Sequence, residues 1–363
     1  MATTTLGYEA MLGEIVRQDE RKRDLVADTR RMSASVESSE AGNRLLVNID
    51  RPEGSVETFA LNPHARGQMA NDLGIPKRYF DRMLTDAPGL LAENANHWLA
   101  NEPDRRLVRG FKPGDSDGGI GVGRAWLSDR YRRLDNIEVA RKIFPIFQDI
   151  PGLQFHQAAL TDLRFHLRVV LPSLTGEIKR GDVVQAGLEI KNSEVGASAL
   201  VVQPYVLRLI CINGMTVAEY GHNRRHVGKR IEDEAIYSDE ALAADDNAFW
   251  LVVRDSVKSV LTDLRFNEIV ASLAETVHGE KIQAPIAATE ELQSRFSLTD
   301  EERERVLTNL VAEADFSQWG ALNAITAAAK ASESFDRQAE MEAFGWDVAQ
   351  MSTKEWASVA VAA

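Results

Sequence analysis

The chain has 363 residues, 44% apolar and 27% charged, with a net charge of −13 and one cysteine. That length suffices for one large domain or two ordinary ones, and a single cysteine excludes an internal disulfide framework. No stretch approaches the ~20 apolar residues of a membrane span, and the N-terminus lacks the apolar core of a signal peptide, so a soluble, cytoplasmic protein is expected.

Residues 7–31 read as a helix with a charged face of Arg17, Arg21, Lys22 and Arg23. Residues 33–43, SASVESSEAGN, read as a polar loop. Short strands are expected at 44–50 and 56–61, around a turn at Pro52-Glu53-Gly54. Residues 62–100 follow as two or three helical pieces, starting at Asn62-Pro63 and interrupted at Gly74-Ile75-Pro76. The stretches RRLVRGFK (105–112) and GIGVGRAWLS (119–128) read as a hairpin. Gly119, Gly121 and Gly123 alternate inside the second strand with no helix start behind them. They are not a dinucleotide fingerprint; they mark a strand that another backbone approaches. Residues 136–148 have the apolar spacing of an amphipathic helix.

The clearest alternation is LRFHLRVVL, 163–171: Leu163, Phe165, Leu167, Val169 and Leu171 on one face, Arg164, His166 and Arg168 on the other. Strands are expected at 183–192 and 198–212. The run Val206, Leu207, Leu209, Ile210, Ile212, with Cys211 inside it, reads as buried strand stopped by Asn213-Gly214. Beyond residue 245 the pattern is helical to the end, with a long helix over 247–276 and a capping box of Thr299 and Glu302. The expected fold is α+β: a largely antiparallel sheet core with helices, then an all-helical C-terminal region. The divisions are residues 1–60, an N-terminal helix and hairpin; 61–230, the core; and 231–363, the helical region.

Charge follows these divisions. Residues 231–363 hold 26 acidic and 10 basic side chains, leaving 29 acidic and 32 basic in residues 1–230. Such asymmetry suits a polyanion-binding surface beside an acidic appendage, or simply C-terminal helices with solvated acidic faces. The segment 105–133 offers Arg105, Arg106, Arg109, Lys112, Arg124 and Arg132, interleaved with Phe111, Trp126 and Tyr131. Arg164, His166 and Arg168 share one strand face, and Arg224, Arg225, His226, Lys229 and Arg230 cluster past the apolar run. Cations for phosphate with aromatic faces for bases are what single-strand binding requires. The opposing reading is that these arginines pair with nearby aspartates.

Other chemistry is thinner. Asp182, Glu189 and Lys191 form the acidic-then-Glu-x-Lys pattern of a metal-dependent nuclease. Cys211, His222 and His226 are a minimal zinc set. No Gly-x-Ser-x-Gly and no phosphate-binding P-loop occur, so neither a hydrolase nor ATP-driven chemistry is expected, and no cofactor is.

The stretch LVVQPYVLRLICINGM (200–215) followed by Arg225-His226 resembles the phage/plasmid-like protein family that carries domain of unknown function 932. RAWLSDRYRRLDN (124–136) and IKNSEVGASALVV (190–202) resemble two further family segments, so the likeness spans about 60–230. The chain departs from it at Gly214-Met215, where the family has Thr-Leu. The resemblance implies a bacterial, phage- or plasmid-encoded protein working near recombination and repair. The expected function is single-stranded DNA binding with ATP-independent strand annealing by a homo-oligomer. The acidic region then either binds a replication or recombination partner or competes for the basic groove. The alternative is a non-enzymatic interaction or regulatory protein.

Overall fold

The computed structural model describes residues 7–40, 42–114, 118–217, 222–224 and 239–362; for 222–224 and 239–246 only the backbone is described. The fold is α+β, built on two six-stranded, mostly antiparallel sheets.

The first sheet takes β1 (Lys22–Asp28), β2 (Met32–Ser39), β3 (Gly42–Asp50), β4 (Val56–Leu61), β5 (Arg105–Phe111) and β6 (Ile120–Ser128), in the order β1-β5-β6-β4-β3-β2. Only β4 and β6 run parallel. Between β4 and β5 the chain forms α2 (Pro63–Asp72), α3 (Lys77–Asp86) and α4 (Pro88–Asn101). Their Met69, Phe80 and Leu91 bury against Leu45, Val47 and Phe59 of the sheet. Each such side chain contributes about 1.5–3 kcal/mol when removed from water. Of the three alternating glycines, Gly121 does admit a close backbone, since a Cβ on it would stand 2.6 Å from the Phe111 carbonyl oxygen, but Gly119 lies in the turn before β6 with nothing near it.

Two expectations at the N-terminus are corrected. Helix α1 (Tyr8–Arg21) is shorter than expected, and residues 22–28 form β1. Leu25 and Ala27 alternate inward while β1 pairs with β5 from Lys22↔Phe111 to Asp28↔Arg105. Of the charges expected on the helix face, Arg17 and Arg21 do lie on the helix, whereas Lys22 and Arg23 are on the strand and make tertiary ion pairs, Lys22 with Asp135 and Arg23 with Glu57. The polar loop is largely β2, whose Met32 and Ala34 turn inward while Ser33 faces solvent.

The second sheet follows α5 (Asn136–Gln148) and takes β7 (Gln154–Leu160), β8 (Phe165–Lys179), β9 (Asp182–Asn192), β10 (Leu200–Arg208), β11 (Asn213–Thr216) and β12 (His222–Arg224). The order is β11-β10-β9-β8-β7, with β12 also pairing with β10. The expected strand 198–212 stops at Arg208. Leu209, Ile210 and Ile212 are 42%, 59% and 63% exposed on a turn, and Cys211 there is only half-buried.

The C-terminal helices are α6 (Asp239–Val260), α7 (Asp263–Glu275), α8 (Pro285–Phe296), α9 (Asp300–Glu313), α10 (Gln318–Ala329), α11 (Phe335–Ala349) and α12 (Thr353–Ala360). The expected helix 247–276 is broken after Val260, where Thr262 caps α7. The Thr299–Glu302 capping box opens α9. These helices share one core with the sheet: Val184, Ala186, Val206 and Met215 pack with Phe266, Trp319, Met341 and Trp346. Phe165, Leu167 and Val169 bury with α5 and α6 instead. No helix among the described residues is long and apolar enough to cross a membrane.

Candidate nucleic-acid interface

The two sheets meet at the turn after β9. Arg109 is buried and donates to the Glu194 carbonyl at 3.0 Å while pairing with Asp24 and Asp135 at 3.1 and 2.5 Å. Burial opposes charge on Asp135, but Arg109 and Lys22 prevail and hold its carboxyl below the usual range. Arg124 pairs with the Glu194 carboxylate at 2.9 Å, and Tyr131 donates its hydroxyl to the Ser193 carbonyl at 3.0 Å. Arg164 donates to the Ala197 carbonyl at 3.0 Å. Residues distant in sequence therefore converge on turn 193–197.

The polar face of β8 is covered, which corrects the expectation that it lines an open groove. Arg164 pairs with Asp336 of α11 at 3.0 Å, and His166 Nε2 donates to Asp336 at 3.1 Å. Arg168, wholly buried, pairs with Glu189 at 2.9 Å and with Glu342 of α11, and its guanidinium lies 4.9 and 4.8 Å from the ring centroids of Tyr205 and Phe335. Burial opposes charge on Glu189, but Arg168 and Lys191 hold its carboxyl well below the usual range. Glu342 goes the other way: burial raises it more than its share of Arg168 lowers it. The acidic region is thus clamped to the sheet and continuous with its core, not a removable lid.

Trp126 is likewise withdrawn from the surface, its indole N–H donated to Asp72 at 2.8 Å. Arg106 pairs with Asp72 and Asp104, and Arg132 lies 5.6 Å from the Phe249 ring. Arg105 is exposed, 3.8 Å from Asp129. Arg225, His226, Lys229 and Arg230 lie outside the described residues; Arg224 is placed by its backbone, opposite Leu200.

A cleft of about 550 Å³ opens where α1 (Tyr8–Arg21), the starts of α2 and α11, the end of β5 and the β7–β8 turn come together. Arg17, His64, Phe111 and Leu163 line it. Around Phe111 stand Arg124, 4.5 Å from the ring centroid, and Arg21, 5.8 Å away. Lys112 is exposed beside them, its amine on the Glu20 carbonyl at 3.2 Å. Arg17, Arg21 and His64 were not among the expected site residues: only the β1–β5 pairing brings α1 to Phe111, and no local pattern marks His64 at the start of α2.

Strand register links this cleft to the basic run. Arg224 faces Leu200, Val201 faces Lys191, Lys191 faces His166, and Phe165 faces Leu160. The run therefore starts at the sheet end where the β7–β8 turn borders the cleft. From β12 across to β8 is three strand spacings, about 14 Å.

The metal readings lose their geometry. Asp182 and Glu189 stand about 23 Å apart along one strand, and each is held by its own arginine, Arg208 and Arg168. Cys211 lies beyond Arg208 while His222 pairs opposite Val202, which separates them by about 20 Å along β10. No metal-ligating cluster occurs among the described residues.

The profile of domain of unknown function 932 matches residues 125–352. The chain belongs to that family. The DUF932 match runs from within β6 through the second sheet to the cap of α12, so the likeness extends past residue 230 into the acidic helices. Strands β1–β5 precede it. No curated protein and no solved structure matches the chain. The departure at Gly214 has a local reason: a Cβ there would overlap the Tyr205 ring and hydroxyl.

Proposed function

We propose that this DUF932 protein binds single-stranded nucleic acid, with single-stranded DNA as the expected ligand, and anneals strands as an ATP-independent oligomer in a phage or plasmid setting. The observation that carries the reading is the register of β12. It puts the backbone of Arg224, where the basic run starts, at the sheet end beside the cleft of Phe111, near which Arg21 and Arg124 stand. Cations next to an aromatic ring suit a flexible strand, whose phosphates need charge and whose bases need flat surfaces. Arg109, Trp126, His166 and Arg168 position the surface rather than touch the ligand, being buried. Annealing requires only that strands be held with their bases accessible, so no catalytic group is assigned.

Fluorescence anisotropy with labelled single-stranded and duplex oligonucleotides, at low and moderate salt, with and without Mg²⁺, tests the reading. Salt-sensitive, single-strand-preferring binding without cleavage is expected. Equal absence of binding to both forms would overturn it.

A further inference from the structure

We infer that the cleft beside Phe111 holds one unstacked base bearing an exocyclic amino group, with the flanking phosphates on the rim. This inference rests on the nucleic-acid reading above and deepens it. The cleft volume, about 550 Å³, suits a nucleoside-sized ligand and is too confined for a duplex. Its apolar walls are Pro63, Phe111, Leu160 and Leu163. Phe111 is on the cleft wall, and an aromatic ring is the kind of flat surface on which an unstacked base stacks.

The polar lining selects the ligand further. Three acidic residues, Glu14, Asp162 and Asp336, are among the residues that line the space. Glu14 is engaged by Arg17, and Asp336 by Arg164 and His166, while Asp162 is exposed. A carboxylate accepts more than one hydrogen bond, so these groups can still take an N–H donor. Arg17 on the same wall is already paired with Glu14, so the lining offers a phosphate little positive charge. An uncharged base entering edge-first meets acceptors, and an amino group supplies the donor, as carboxylates accept from cytosine N4. Thymine has no such amino group. Phosphates on either side then fall to Arg21 and Lys112, outside the acidic floor.

The test uses the full chain and oligo-dT carrying one 2-aminopurine, whose emission rises when it leaves the stack. Binding is expected to raise emission several-fold, and one cytosine in oligo-dT should tighten binding by about tenfold, the size of one good base-edge contact. Leu163→Trp, which fills the cleft, should abolish the emission rise. Asp162→Asn, at an exposed position, should remove most of the cytosine preference whether or not the tryptophan variant folds. Binding with no emission change and no cytosine preference would overturn the cleft proposal and leave the nucleic-acid reading standing. No binding of any oligonucleotide would overturn both.

Discussion

Arg168 of the second sheet and Glu342 of α11 form an ion pair in which both side chains are buried, although 174 positions separate them in the chain. Glu189 shares the same guanidinium at 2.9 Å. Removing the arginine strands two carboxylates in the core. Arg168→Leu should cost about 3–5 kcal/mol, as losing one partner of a buried pair does. Glu342→Gln should cost at most about 1 kcal/mol, since it keeps the shape and removes a charge that burial disfavours. Urea unfolding of the two variants checks the order; equal losses would mean that the cluster is not held by Arg168.

Acid should loosen a second contact of α11 with the sheet, that of Asp336 with Arg164 and His166. Asp336 is depressed to about 2: burial works against the charge, and His166 and Arg164 outweigh it. A carboxylate depressed in the folded state stabilises above its ordinary value near 3.8 and loses that contribution as pH falls towards 2. After discounting for partial exposure, the loss amounts to about 1–2 kcal/mol. Between pH 4 and 2 the melting temperature of Asp336→Asn should therefore fall less steeply than that of the unmodified chain. Parallel curves would remove Asp336 from the acid response.

Ile212 has φ +51° and is 63% exposed. A β-branched residue in the left-handed region is strained, and here no burial offsets the cost. Ile212→Asn should raise stability by about 1 kcal/mol, read as a higher urea midpoint. A lower midpoint would mean that the isoleucine makes a contact beyond this chain.

Period-based features were legible in the sequence. The alternation of 163–171 is real, the hairpin of β5 and β6 forms, and Thr299 caps its helix. What covers the polar face of β8 was not legible, because Asp336 and Glu342 lie about 170 residues downstream and no local pattern names them. The same non-locality hid Arg17 and Arg21, which reach Phe111 only through the β1–β5 pairing. β1 and β2 were missed because their inward residues are few and small or flanked by charge and serine, so the period of two is faint. The apolar run at 206–212 misled in the opposite direction: hydrophobicity continues past Arg208, but the chain turns there and leaves Ile210 and Ile212 in solvent.

Arg224→Ala combined with Arg225→Ala should weaken binding for every sequence alike, because phosphates carry no base identity. A sequence-dependent loss, measured across homopolymer oligonucleotides, would place these residues at bases instead.

The most direct measurement is the salt dependence of single-strand affinity for the unmodified chain, for Arg21→Ala with Lys112→Ala, and for Arg224→Ala with Arg225→Ala. If one strand crosses the cleft rim and the basic run together, each pair should weaken binding and flatten the slope of log K against log salt by roughly 0.7 for each phosphate no longer neutralised. An unchanged affinity and slope in either folded variant would contradict a shared surface at this end of the second sheet.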